Sequence, residues 1–144
     1  MIAGLTEILE DAKRNRRAAG AFNTVSLESI DAVISAAEQM NVPVIIQHAQ
    51  LHEPVIPLDV IGPCMVAAAE RAAVPVCVHL DHGSDLDYLK RALDLGFTSV
   101  MYDGSDLDYE TNVSNTQACV EMARGCGADV EAELGRVLRP DAGS

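Results

Sequence analysis

Apolar residues recur along this chain in two alternating rhythms. Ile2, Leu5, Ile8, Leu9 and Ala12 fall three or four positions apart and predict an amphipathic helix at the N-terminus. Residues 20–24 (GAFNT) form a short apolar run that predicts a first strand. Ser26 is then placed to cap a helix whose apolar face is Leu27, Ile30, Ile34, Ala37 and Met40, and Asn41 closes it. A second strand is expected over 42–46, a polar loop (HAQLHEP) over 48–54, and a helix from about 57 to 73. A third strand is expected over 74–78, with Pro75 near its first residue, where a strand tolerates proline. A helix beginning at Ser84 and running through Leu86, Leu89 and Leu93 ends at Gly96. Residues 98–102 read as a fourth strand, about 110–124 as a long helix, and 128–134 as a fifth strand.

Strands separated by helices of this length pair in parallel. Runs that are apolar on both faces suit a sheet covered on both sides, as in a barrel or a doubly wound fold. Neither a GxGxxG nor a Walker loop follows any strand, so nucleotide binding has no direct support. What recurs is polar chemistry at the strand ends. Asn23 is followed by Gln47 and His48, then by Asp81 and His82, then Asp103 and Ser105, and lastly Glu131 and Glu133. A (β/α) barrel builds its active site at that face from several strand ends. The expectation is an α/β chain with residues 1–144 forming a single barrel-type domain.

Charge narrows the partners. The formal net charge is -12, from 22 acidic and 10 basic residues, which repels nucleic acid and anionic lipid at long range. An anionic substrate therefore needs a local positive site. The cluster Lys13, Arg14, Arg16 and Arg17 reads as a solvated helix end favoured by the helix dipole. Cys64, Cys77, Cys119 and Cys126 form no CxxC pair, and Cys77 lies in an apolar run, so reduced thiols are expected. Glu7, Glu10 and Asp11 argue against a signal peptide, and no apolar run approaches the roughly 20 residues that span a bilayer. A soluble, cytoplasmic protein is expected.

The sharpest local signal is His79-Leu80-Asp81-His82-Gly83. A histidine beside a carboxylate at a strand end can hold a divalent metal while the carboxylate handles protons. Taken alone, such a pair more often caps the next helix, and Asp103 alone reads as a cap or turn carboxylate. Glu131 and Glu133 alternate along a strand and share a face, which is costly unless they are solvated, paired or metal-bound. His48 and His52 read as ordinary loop residues, since Pro54 breaks any helix that would align them.

Taken together, GAFN at 20–23, VPVCVHLDHGSD at 74–85, GFTSVMYDGS at 96–105, Asn112 and VEAELG at 130–135 resemble the class II fructose-bisphosphate and tagatose-bisphosphate aldolases, in order and over nearly the whole chain. The resemblance implies a (β/α)8 TIM barrel with an extra helix across its N-terminal end, of which this chain supplies about the first five β/α units. It implies zinc-dependent, reversible cleavage of a ketose bisphosphate to dihydroxyacetone phosphate and glyceraldehyde 3-phosphate. His82 would ligate the catalytic Zn2+, Asp103 and Glu133 would belong to a second divalent position beside it, and Asp81 would exchange the substrate hydroxyl proton. Asn23 would face the sugar phosphate. A Schiff-base aldolase is disfavoured, because Lys13 and Lys90 are the only lysines and neither is at a strand end.

The family takes further zinc histidines, phosphate loops and a second proton-transfer glutamate from later strands, whereas no histidine follows His82 here. Gln47-His48-Ala49 also stands where the family commonly has a small hydroxyl residue. The chain is therefore expected to act with a C-terminal half-barrel or as a homo-oligomer, and to be inactive alone. The alternative is a non-catalytic metal-binding half-barrel that serves as an interaction or oligomerisation module.

Overall fold

The structure, a computed structural model, describes residues 1–135. Eleven short segments alternate as expected, and local chemistry explains most of their ends. Helix α1 (Leu5–Arg14) precedes strand β1 (Gly20–Asn23). Helix α2 (Leu27–Met40) starts where Ser26 Oγ accepts from the Ser29 amide at 3.2 Å while Ser29 Oγ accepts from the Ser26 amide at 3.0 Å. It ends at Asn41, which adopts the left-handed conformation with φ 52°. Strand β2 (Val44–Ala49) leads through a 3-10 turn (Gln50–His52) to α3 (Leu58–Arg71). Strand β3 (Val76–Gly83), α4 (Leu86–Asp94), β4 (Ser99–Tyr102), α5 (Tyr109–Cys126) and β5 (Asp129–Ala132) complete the order.

Several boundaries differ from the sequence expectation, among them that of β5, which is expected over 128–134 and spans Asp129–Ala132. Strands β2 and β3 start after Pro43 and Pro75, which have no amide hydrogen for the ladder, and both run further into polar sequence. Helix α4 is capped by Asp85, whose Oδ1 accepts from the Asp87 amide at 2.9 Å, and not by Ser84. The Ser84 amide is already engaged by Gln50 Oε1 at 2.9 Å, so that residue belongs to the preceding loop.

The five strands lie in sequence order, all parallel, each joined to the next through a helix. This is the open part of a (β/α) barrel. One face of the sheet packs Val44, Ile46, Val76, Val78, Leu80, Val100 and Tyr102 against Ile34, Leu58, Ile61, Met65, Leu89 and Cys119 of the helices. On the other face Ile45 and Cys77 meet Leu5 and Ile8, so α1 covers the strand starts. Thr6 fastens it there by donating from its amide (2.8 Å) and hydroxyl (2.9 Å) to the Asp129 carboxylate. Burial pushes the Cys77 thiol up to about 12, so it stays protonated and inert.

The basic cluster at the end of α1 behaves as a helix end, with Arg17 and Arg14 both paired to Asp11. Lys13 and Lys90 lie on the helices and not at strand ends, and Lys90 pairs with Asp94. Beside β1 runs an apolar groove of about 560 Å³ lined by Ile8, Ala19, Phe22, Val33 and Met40. It carries no candidate chemistry, since the polar strand ends lie elsewhere. No helix among the described residues is long and apolar enough to cross a membrane.

Candidate active site

Strand alternation sends Asp81 and His82 to opposite faces of a regular sheet. The β3–β4 register shifts between Leu80 and Gly83, and His82 takes φ 47°. That bulge turns both side chains the same way, leaving His82 Nε2 3.9 Å from Asp81 Oδ1. A left-handed non-glycine residue costs on the order of 1 kcal/mol, and such strain concentrates at functional sites.

The next residue has no spare room. A Cβ on Gly83 would stand 2.3 Å from Cδ1 of Leu89, which is itself fully buried. Gly83→Ala is therefore expected to lower stability by about 1–3 kcal/mol through overpacking, read as a fall in melting temperature. An unchanged melting temperature would show that the turn is looser than its geometry.

Around this bulge four strand ends converge. Asn23 Nδ2 donates to Asp81 Oδ2 at 3.1 Å. His82 Nδ1 shares a hydrogen bond with Asp103 Oδ2 at 3.0 Å and lies 3.7 Å from Glu133 Oε2. Asp103 is held in place by Ser105, whose amide (3.1 Å) and hydroxyl (2.6 Å) both donate to Oδ1. One ligand atom from each of His82, Asp103 and Glu133 lies within 4.8 Å of the others. An imidazole with two carboxylates at that spacing is a donor set that fits a divalent cation.

The electrostatics agree. The Asp103 hydrogen bond raises the His82 pKa, partial burial opposes it, and the charges of Asp81, Asp103 and Glu133 add to the rise. Burial pushes the Asp103 carboxyl up, yet the bonds from Ser105 and His82 win and hold it below its usual range. Burial, with Asp81 and Glu133 nearby, raises Glu131. Acidic groups thus outnumber the imidazole they face, which is the surplus that a bound cation would neutralise.

Asn23, Asp81, His82, Asp103 and Glu133 all lie around this bulge. Glu133 stands just past the end of β5, and its partner Glu131 reaches a different histidine, His79 Nε2, at 3.5 Å. His79 is buried, with Nδ1 2.9 Å from Ser99 Oγ, and lies one layer beneath the site. The reading of His48 as a loop residue is corrected: it is the fifth residue of β2 and fully buried, with Nε2 3.1 Å from the Tyr88 hydroxyl. His52 does belong to the turn, where its Nδ1 accepts from the Ala49 amide at 3.2 Å.

Gln50 has no site role in the sequence, and Ser105 stands out there only as a polar residue at a strand end. Gln50 Oε1 accepts from the amides of Ser84 (2.9 Å) and Asp85 (3.3 Å) and so ties the β2 loop to the segment after His82. Ser105 clamps Asp103, and its position two residues after an aspartate was the available signal.

Similarity to known proteins follows the same residues. The family profile for fructose-bisphosphate aldolase class-II matches residues 3–144. The fructose-bisphosphate aldolase of Thermus caldophilus is 45% identical over 139 residues, covering 95% of this chain and 44% of that protein. The enzyme of that name from Giardia intestinalis is 38% identical over 134 residues, covering 91% of this chain and 41% of that protein. Among solved structures, the YdjI aldolase from Escherichia coli K12 superposes with a TM-score of 0.89 at 33% identity, over 96% of this chain and 54% of the other. Fructose-bisphosphate aldolase from Campylobacter jejuni gives a TM-score of 0.79 at 28% identity, over 93% and 47%. The chain thus spans less than half the length of these curated relatives. With the profile matched almost end to end, and five parallel β/α units carrying its polar residues at the strand ends, the chain belongs to the class II fructose-bisphosphate aldolase family.

Proposed function

We propose that this chain carries the proton-transfer and first metal-binding residues of a zinc-dependent ketose-bisphosphate aldolase. The reaction is the reversible cleavage of fructose-1,6-bisphosphate, or its tagatose epimer, to dihydroxyacetone phosphate and glyceraldehyde 3-phosphate. The observation that carries the proposal is the meeting of His82, Asp103 and Glu133 within 4.8 Å, with Asp81 alongside and oriented by Asn23. Because the matched relatives are more than twice as long, activity is assigned to the chain completed by a C-terminal half-barrel or by self-association, acting in the cytoplasm.

His82 would ligate the catalytic ion, and Asp103 with Glu133 would border a second divalent position. When bound, zinc supplies Lewis-acid stabilisation of the negative charge that develops on the ketone oxygen. The chain's own residues do the rest. The Asp81 carboxylate takes the proton from the hydroxyl on the carbon that leaves as the aldehyde, and returns it in the condensation direction. Asn23 donates to the other oxygen of that carboxylate, fixing its orientation. Ser105 keeps Asp103 turned toward His82.

Cleavage of each bisphosphate by the zinc-loaded protein, alone and with the C-terminal half supplied, tests the reading. Turnover that appears on completion and disappears with a chelator is expected. Cleavage that survives chelation would contradict the metal chemistry. Zinc binding without cleavage under any complementation is the result expected of a half-barrel interaction module instead.

A further inference from the structure

The two carboxylates of the candidate metal centre come from different strand ends, and a single buried amide on α5 touches both of those ends. Asn112 is 5% exposed. Its Nδ2 donates to the backbone carbonyl of Glu133 at 2.9 Å. Glu133 lies just past Ala132, where the β4–β5 pairing ends, so the Asn112 amide holds the backbone where the ladder stops. On its other side Asn112 packs against Gly104, the residue that follows Asp103. A Cβ on Gly104 would stand 2.3 Å from Asn112 Oδ1 and 2.8 Å from Cε1 of Tyr102, so glycine is what allows the approach. Thr116 Oγ1 donates to the same Oδ1 at 3.3 Å, and the Asn112 backbone N–H donates to the Asp108 carbonyl at 2.9 Å. The side chain therefore has little freedom of its own.

We propose that Asn112 is a positioning residue that sets the separation of Asp103 and Glu133 around His82. The inference rests on the divalent-ion reading of that cluster. Like-charged carboxylates separate unless something holds them, and in the absence of the amide the chain beyond β5 is free to carry Glu133 away. Partners beyond the direct ligands typically alter metal affinity by roughly 10- to 100-fold when removed.

The test is a Co2+ titration followed by the ion's visible absorption, on the protein and on Asn112→Ala, Gly104→Ala, their combination, Cys119→Ala and His82→Ala. Asn112→Ala and Gly104→Ala are each expected to weaken Co2+ binding roughly 10- to 100-fold and to alter the absorption band. The combination is expected to be no weaker than the weaker single variant, because both act through one contact. Cys119, also buried on α5, serves as the control, losing melting temperature with Co2+ affinity unchanged.

An amide that only supports the fold would behave like Cys119, and unaltered affinity and spectrum in folded Asn112→Ala would overturn the proposal. Should Asn112→Ala fail to fold, Gly104→Ala decides the matter with Asn112 itself in place. His82→Ala keeps the two levels apart. Undiminished Co2+ binding in that variant means the divalent reading has failed, and the positioning role falls with it. Lost binding there, with binding kept in Asn112→Ala, removes the positioning role alone.

Discussion

In the completed protein, replacing Asp81 with Ala is expected to slow ketose-bisphosphate cleavage about 10²- to 10⁴-fold, the usual contribution of a positioned general base, while zinc binding changes little. The separation of the two effects comes from geometry. His82, Asp103 and Glu133 form the donor cluster, whereas Asp81 touches it only through a 3.9 Å approach to His82 Nε2. One Asp81 oxygen faces His82 and the other accepts from Asn23 at 3.1 Å, so the carboxylate is oriented without being part of the cluster. Asp81→Asn sharpens the test, because it preserves shape while removing the group that takes the proton. Steady-state rates and a zinc titration on the same samples decide it. A variant that turns over normally refutes the proton-transfer role, and one that loses zinc places Asp81 among the ligands.

The second large effect is acid sensitivity of the fold itself. His48 and His79 are buried, and burial pushes each down to about 4 from an ordinary value near 6.5. For His48 the hydrogen bonds explain why. Tyr88 donates its hydroxyl proton to Glu53 at 2.7 Å, so His48 Nε2 carries the hydrogen that points at Tyr88. Nδ1 is buried with no hydrogen-bond partner among the described residues, and a second proton there would have no acceptor.

Between about pH 6.5 and pH 4 the unfolded chain binds protons that the folded chain refuses. Stability therefore falls as pH drops through that window, by up to about 1.4 kcal/mol per pH unit for each histidine. A nearby carboxylate opposes the shift at each site, Asp81 at His79 and Glu53 at His48, and burial outweighs both. Against a typical stability of roughly 5–15 kcal/mol the loss is large. Urea unfolding at pH 7, 6, 5 and 4.5 measures it. Free energies that stay flat between pH 7 and pH 5 would show that the histidines take up protons without unfolding.

The fold was readable because its signals are local and repeated. Ser26 and Asn41 bracket α2 by capping chemistry, and the apolar runs at β2, β3 and β4 stand out against the helices between them. Proline displaced the strand starts by a residue or two, since periodicity reports side chains and the ladder needs amide hydrogens. The site was readable only jointly. Neither Asp81-His82 nor Asp103 rises above a helix cap when taken singly, and their order along the chain is what set them apart. His48 was misread because a polar residue after an apolar run looks like the loop that follows it. Its position two residues past Ile46 puts it on the helix-facing side of the sheet. The contact of Asn112 with both carboxylate-bearing strand ends joins residues far apart in sequence, and no spacing rule foretells that.

Zinc-loaded crystals, with anomalous scattering recorded at the zinc edge, address the divalent site most directly. A peak about 2.1 Å from a ring nitrogen of His82, bordered by the carboxylates of Asp103 and Glu133 and with Asp81 beside it, is the expected result. Zinc bound elsewhere, or no peak at His82 in zinc-loaded crystals, would contradict it.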